Sequence, residues 1–117
     1  MTYILAIDQG TTSTRSMIFD SEMNVITTDQ KEFKQYFPKS GWVEHDPSDL
    51  WNTTLETCHN AIKKTGKDVE NIKAIGITNQ RETVIVWDKN SGEPVYNAIV
   101  WQDRRTADMC ELMREAG

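Results

Sequence analysis

The sequence is poor in the features that mark several large functional classes. Its two cysteines, Cys58 and Cys110, lie far apart with no CxxC spacing, so they read as idle or buried thiols rather than a disulfide framework or a thiolate metal site. Histidine is equally scarce. His45 sits beside acidic residues in Trp42-Val43-Glu44-His45-Asp46 but has no second histidine nearby, and His59 is expected on a helix facing solvent. Basic residues number 13 against 18 acidic ones, a net charge of -5, the reverse of the basic face that a nucleic-acid binder carries. No apolar run approaches the roughly 18 residues of a membrane span. Met1-Thr2-Tyr3 lacks the basic start of a signal peptide and runs straight into a strand-like segment, so the cytoplasm is the expected compartment. GxxxxGK[ST] and GxGxxG are both missing, which excludes a Walker loop and a dinucleotide fingerprint.

What is present suits one small soluble domain: 117 residues, 38% hydrophobic and 26% charged. Ile4-Leu5-Ala6-Ile7, Ser16 to Asp20 and Val25 to Thr28 (extending towards Phe33) read as three strands on short links, an antiparallel meander. Asp46-Pro47-Ser48-Asp49 is a helix start, with Asp46 as N-cap and Pro47 at the first helical position. Trp51, Leu55, Cys58 and Ile62 recur at helical spacing and predict the buried stripe of that helix. Lys63 and Lys64 suit its C-terminus and Gly66 its end. Ile72 to Ile77 predicts a buried strand and Thr83 to Trp87 another, with Asn90-Ser91-Gly92 as a turn. Asp103 to Ala116 reads as a final helix capped by Asp103. Trp42, Trp51 and Trp87 are expected in packing roles. The order, three strands before the first helix, is not the alternation of a Rossmann domain.

Three polar stretches carry the chemistry. In Asp8-Gln9-Gly10-Thr11-Thr12-Ser13-Thr14-Arg15, Gly10 can take a positive φ or let backbone approach an anion. The surrounding amides and the hydroxyls of Thr11, Thr12 and Ser13 can donate to phosphate oxygens. Asp8 would repel phosphate unless a divalent cation, Mg²⁺ held through waters, lay between them, and Arg15 can neutralise spreading charge. An ordinary hairpin turn is the competing reading. In Thr78-Asn79-Gln80-Arg81-Glu82, a donor-only arginine beside an acceptor-only glutamate matches hydroxyls, which both donate and accept; a plain surface ion pair is the alternative. In Tyr96 to Arg105, Trp101 can wall the carbon chain of a small ligand or be core. Arg104 and Arg105 hint at a carboxylate or phosphate partner.

Taken together, Asp8-Gln-Gly-Thr-Thr-Ser13, Gly41-Trp-Val-Glu-His-Asp-Pro47, Gly76-Ile-Thr-Asn-Gln-Arg-Glu-Thr83 and Asn97-Ala-Ile-Val-Trp-Gln-Asp-Arg-Arg-Thr106 resemble the N-terminal portion of the FGGY family of carbohydrate kinases. The later strings resemble its glycerol-phosphorylating branch in particular. The resemblance implies an α/β fold of the ribonuclease-H-like, actin-like ATPase type, with residues 1–117 as part of the N-terminal domain. It implies ATP and Mg²⁺ as cofactors and glycerol as substrate, giving sn-glycerol 3-phosphate, in an enzyme that is a homo-oligomer when complete. Gly10, Thr11, Thr12, Ser13 and Arg15 would bind phosphate, Asp8 and Arg15 would act in catalysis, with Asp8 also at the metal, and Arg81, Glu82 and Trp101 would bind substrate. Members of the family are several times longer, and the catalytic base, second phosphate loop and adenine pocket belong to later sequence. The chain alone is therefore expected to be inactive and to expose an apolar face that favours self-association. Another FGGY kinase acting on a pentulose, and a non-catalytic fragment or interaction module, are the alternatives.

Overall fold

Tyr3-Ile-Leu-Ala-Ile-Asp-Gln9 forms strand β1 (Tyr3–Gln9) in a computed structural model that describes residues 1–117. A tight turn leads into β2 (Ser13–Phe19), and a second, closed by Asp20 accepting the amides of Glu22 and Asn24, leads into β3 (Val25–Glu32). Both pairings are antiparallel, with Leu5 opposite Ile18 and Asp8 opposite Arg15, as expected of the meander. Helix α1 (Pro47–Lys64) follows a two-residue strand, β4 (Glu44–His45). Gly66, at φ 68°, takes the left-handed conformation that closes a helix. The chain then passes a 3-10 turn at Val69–Asn71 and enters β5 (Ile72–Thr78), which lies parallel to β1, so the sheet order is β3-β2-β1-β5. The remaining elements are β6 (Ala98–Ile99) and α2 (Ala107–Ala116). No helix is long and apolar enough to cross a membrane.

The chain divides into two compact units. The first comprises Met1–Lys34 and Ser48–Gln80, the second Gln35–Pro47 and Arg81–Gly117. The core of the first is Tyr3, Leu5, Ile7, Ile18 and Ala61, with Cys58, Ile62 and Ile72 against it.

Half of the predicted stripe of α1 faces inward: Cys58 and Ile62 pack against the core, and Trp51 and Leu55 do not. Trp51 is 62% and Leu55 50% exposed, whereas Thr53, Thr57 and Ala61 are buried. The sheet explains the choice. The inward residues of β2 beside Ile18 are Thr14 and Ser16, both fully buried, and a buried hydroxyl needs a partner. Thr14 Oγ1 meets Thr53 Oγ1 at 2.8 Å, and Ser16 Oγ meets Thr57 Oγ1 at 2.8 Å. The helix turns Thr53, Thr57 and Ala61 to the sheet, with Cys58 and Ile62 beside them and Trp51 and Leu55 outside.

Three further expectations are corrected. β5 is an edge strand, so Ile75 and Ile77 are exposed at 59% and 70% rather than buried. Residues 83–87 make no strand; Val84 bridges Ile99 and Trp87 bridges Pro94 singly, and Trp87 is exposed. The last helix begins at Ala107, with Thr106 at the N-cap position, because the Asp103 carboxylate is taken by other groups.

In the second unit, β4 pairs antiparallel with β6. Tyr36 bridges the far side of Glu44, and Val84 bridges the far side of Ile99. Four short strips thus lie side by side, with Ala98 and Val100 buried among them.

Candidate functional site

The β1–β2 turn in the first unit is held closed. The Gly10 amide donates to the Ser13 carbonyl at 3.0 Å, the Phe33 amide to the Thr12 carbonyl at 3.3 Å, and Gln80 Nε2 to the Gly10 carbonyl at 3.1 Å. Of the two reasons for a glycine at position 10, close approach is the operative one. Its φ is not positive, but a Cβ there would stand 3.0 Å from the Ser13 carbonyl oxygen.

Asp8 and Arg15 are exposed and stand opposite each other in register. Gln30 on β3 donates from Nε2 to Ser13 Oγ at 2.8 Å and accepts from Arg15 Nη2 at 3.2 Å. With its lone pair engaged, the Ser13 hydroxyl keeps its proton to donate outward. Asp8, Gly10, Thr11, Thr12, Ser13 and Arg15 thus gather at one end of the sheet. Gln30 and Gln80 were not singled out by sequence, because each acts through a partner remote along the chain.

No cluster of three His, Cys, Asp or Glu side chains that could hold a metal is present, and His45 is buried in β4. A single exposed carboxylate, Asp8, does suit Mg²⁺, which keeps several waters and takes further ligands from nucleotide phosphates.

In the second unit Arg81 and Glu82 are exposed. Glu82 has φ 61°, a left-handed conformation uncommon for a residue other than glycine. Such strain, about 1–3 kcal/mol, persists where surrounding structure over-determines it. Here Val84 and Ile99 exchange two backbone bonds of 3.1 Å, and the Trp101 amide donates to Thr83 Oγ1 at 3.2 Å. These bonds bring the Arg81–Glu82 turn beside the segment bearing Trp101. The Trp101 side chain is 51% exposed, so it is available to a ligand and is not core.

Behind Trp101 lies a charged cluster that sequence reasoning did not assemble. Glu44 is 1% exposed and accepts from Tyr96 Oη at 2.6 Å, Arg105 Nη2 at 2.7 Å and Asn97 Nδ2 at 3.1 Å. Asp103 accepts the Val43 amide at 2.7 Å, the Arg105 amide at 2.8 Å, and the Arg105 guanidinium through both oxygens at 2.7–3.0 Å. The Arg105 guanidinium also lies 3.8 Å from the centre of the Trp42 ring, a cation–π distance. Burial pushes the Glu44 carboxyl upward, but the three hydrogen bonds outweigh it and hold the group below its ordinary value. The Arg105 hydrogen bonds, against the opposing effect of burial and with help from the Val43 and Arg105 amides, bring Asp103 down to about 2. The carboxylate partner hinted at for Arg104–Arg105 is therefore internal for Arg105. The doublet was the available signal; Glu44 gave none of its own.

A model of the N-terminal domain of the FGGY family of carbohydrate kinases matches residues 3–117. The chain belongs to that family. Among curated FGGY relatives, the glycerol kinase of Roseobacter denitrificans is 67% identical over 117 residues, all of this chain and 24% of that protein. The glycerol kinase of Burkholderia vietnamiensis is 57% identical over 98% of this chain and 23% of its own length. The chain thus spans about a quarter of the relatives it matches. Among solved structures, Plasmodium falciparum glycerol kinase with ADP superposes with a TM-score of 0.90 at 40% identity, over 97% of this chain and 23% of that one. Xylulose kinase from Lactobacillus acidophilus gives 0.91 at 23% identity over 100% of this chain and 23% of that chain, a likeness of fold alone. The expected α/β, actin-like ATPase architecture, present here as part of a domain, is borne out.

Proposed function

We propose that the full-length protein carrying this segment is a glycerol kinase, transferring the γ-phosphoryl group of MgATP to a terminal hydroxyl of glycerol. The pinning of the Arg81–Glu82 turn beside the segment bearing Trp101 carries this reading, because a donor, an acceptor and an apolar side chain stand on neighbouring backbone. The high identity to glycerol kinases across the whole chain supports it. Arg81 donates to the glycerol hydroxyls, Glu82 accepts from them, and Trp101 covers the carbons.

In the first unit Gly10 leaves room for phosphate, and Thr11, Thr12 and Ser13 donate to its oxygens. Arg15 neutralises charge spread over the transferred group, and Asp8 holds Mg²⁺ through water. The ion, when bound, neutralises phosphate charge; the protein's part in such a transfer is positioning and electrostatics.

The test is ADP release by the full-length protein, coupled to glycerol and to a panel of ketoses. Turnover with glycerol, and a strongly raised glycerol KM in Arg81→Ala, are expected. A preference for a pentulose, or an unchanged glycerol KM in that variant, refutes the assignment. The 117-residue chain assayed alone is expected to show no turnover; a kcat above about 1 s⁻¹, an ordinary enzyme rate, would show that it needs no further chain.

A further inference from the structure

We propose that Arg105 is a positioning residue for substrate. Through Asp103 and Glu44 it clamps the segment bearing Trp101, and through Thr83 that segment holds the strained Arg81–Glu82 turn. Which ligand the turn meets rests on the glycerol reading above; the clamp rests on the geometry of the second unit.

Trp101 is half exposed, and backbone bonds converge on the segment that bears it. The Val100 amide donates to the Val43 carbonyl at 3.0 Å, the Asp103 amide to the Val100 carbonyl at 2.8 Å, and the Arg104 amide to the Gly41 carbonyl at 2.6 Å. Asp103 Oδ2 takes the Val43 amide on the same side. Apart from the Asp103–Val100 bond, which closes a turn within the segment, these bonds join residues 41–43 to residues 100–104. The Arg105 guanidinium locks the join, because one planar fork reaches Asp103 in the segment and Glu44 on β4 at once. Trp42, which lies between Gly41 and Val43, packs against that guanidinium. A lysine supplies one point charge and cannot make the fork or the stack equally well. From the clamped segment the Trp101 amide reaches Thr83, the neighbour of Glu82, whose φ of 61° needs such external support.

The decisive variant is Arg105→Lys in the full-length protein, measured for KM of glycerol and of MgATP separately. Glycerol KM is expected to rise about tenfold or more, while MgATP KM stays within twofold, because the phosphate loop belongs to the first unit. A general loss of fold would move both together; both moving, or neither, overturns the proposal. Hydrogen exchange of the same variant reads the clamp without substrate. Peptides covering residues 97–103 should lose protection at least tenfold while those covering residues 4–8 do not, and unchanged protection at 97–103 overturns it. If the unmodified protein does not phosphorylate glycerol, the glycerol reading fails and the exchange result alone decides the clamp. If Arg105→Lys is insoluble, Tyr96→Phe, which takes one donor from Glu44, should show the same KM split at about threefold; no split there overturns the proposal.

Discussion

Replacing Asp103 by asparagine removes one buried charge and little volume, so it isolates what the Asp103–Arg105 pair contributes to stability. The carboxyl is held near pKa 2 against an ordinary value of 3.8, and the Asp103 side chain is only 3% exposed. A displacement of that size corresponds to roughly 2 kcal/mol of stability at neutral pH. Breaking an isolated buried pair would destabilise by about 3–5 kcal/mol. Arg105 keeps Glu44 after the substitution, so the smaller figure is the appropriate one. The sign follows from the depressed pKa. The folded state favours the ionised carboxylate, so the contribution is complete above about pH 4 and is lost as the pH falls towards 2. Urea unfolding followed by tryptophan fluorescence is the assay. Trp42, Trp87 and Trp101 lie in the second unit and Trp51 in the first, so a Trp51→Phe background reports on the unit that holds the pair. With an m-value of about 1–3 kcal/mol/M, the Asp103→Asn midpoint at pH 7 should fall by about 1 M. The gap between the two proteins should close between pH 4 and pH 2. A midpoint shift below about 0.3 M, or a gap that persists unchanged at pH 2, would refute the reasoning.

Ile18→Ala should destabilise the first unit by about 3 kcal/mol, since the side chain is fully buried among Tyr3, Leu5, Ile7 and Ala61; calorimetry checks this, and a loss under about 1 kcal/mol would mean the core closes over the cavity. Gly10→Ala places a methyl 3.0 Å from the Ser13 carbonyl, so the full-length protein should show a raised MgATP KM with glycerol KM little changed. Glu82→Gly relieves the left-handed backbone and should raise stability by about 1 kcal/mol, while weakening glycerol binding by removing the carboxylate. Parallel melting and KM measurements separate the two effects, and a destabilised variant would contradict the strain.

What was legible in the sequence, and what was not, divides by the range of the interactions concerned. The meander, the turn at Gly10 and the start of α1 at Pro47 are set by residues a few positions apart, and the string states them directly. The face that α1 buries is set across the sheet, and its pattern misleads. Thr53 and Thr57 look like solvent residues by composition. Each donates its hydroxyl to a carbonyl of the preceding turn, Asp49 and Thr53 respectively, at 2.8 Å. That internal bond satisfies the donor and leaves lone pairs for Thr14 and Ser16, so the hydroxyls can be buried without orphaned protons. A stripe of Trp51 and Leu55 turned inward would instead take Thr53 and Thr57 from the Thr14 and Ser16 hydroxyls, leaving them only the longer contacts to Gln9 Oε1 and Cys58 Sγ. β5 misleads for the opposite reason. Its composition is that of a core strand, but burial needs a covering layer, and only β1 flanks it in these 117 residues. The candidate site follows the same division. Arg81, Glu82 and Trp101 stand out because their residue types suit a polyol. The buried Glu44 carboxylate is specified by Tyr96, Asn97 and Arg105, and nothing within its own strand requires a buried charge there. Without those three donors its burial would raise its pKa. The ordering of the Trp101 segment and the ionisation of Glu44 are therefore one coupled property of the second unit, and a substitution on either side should disturb both.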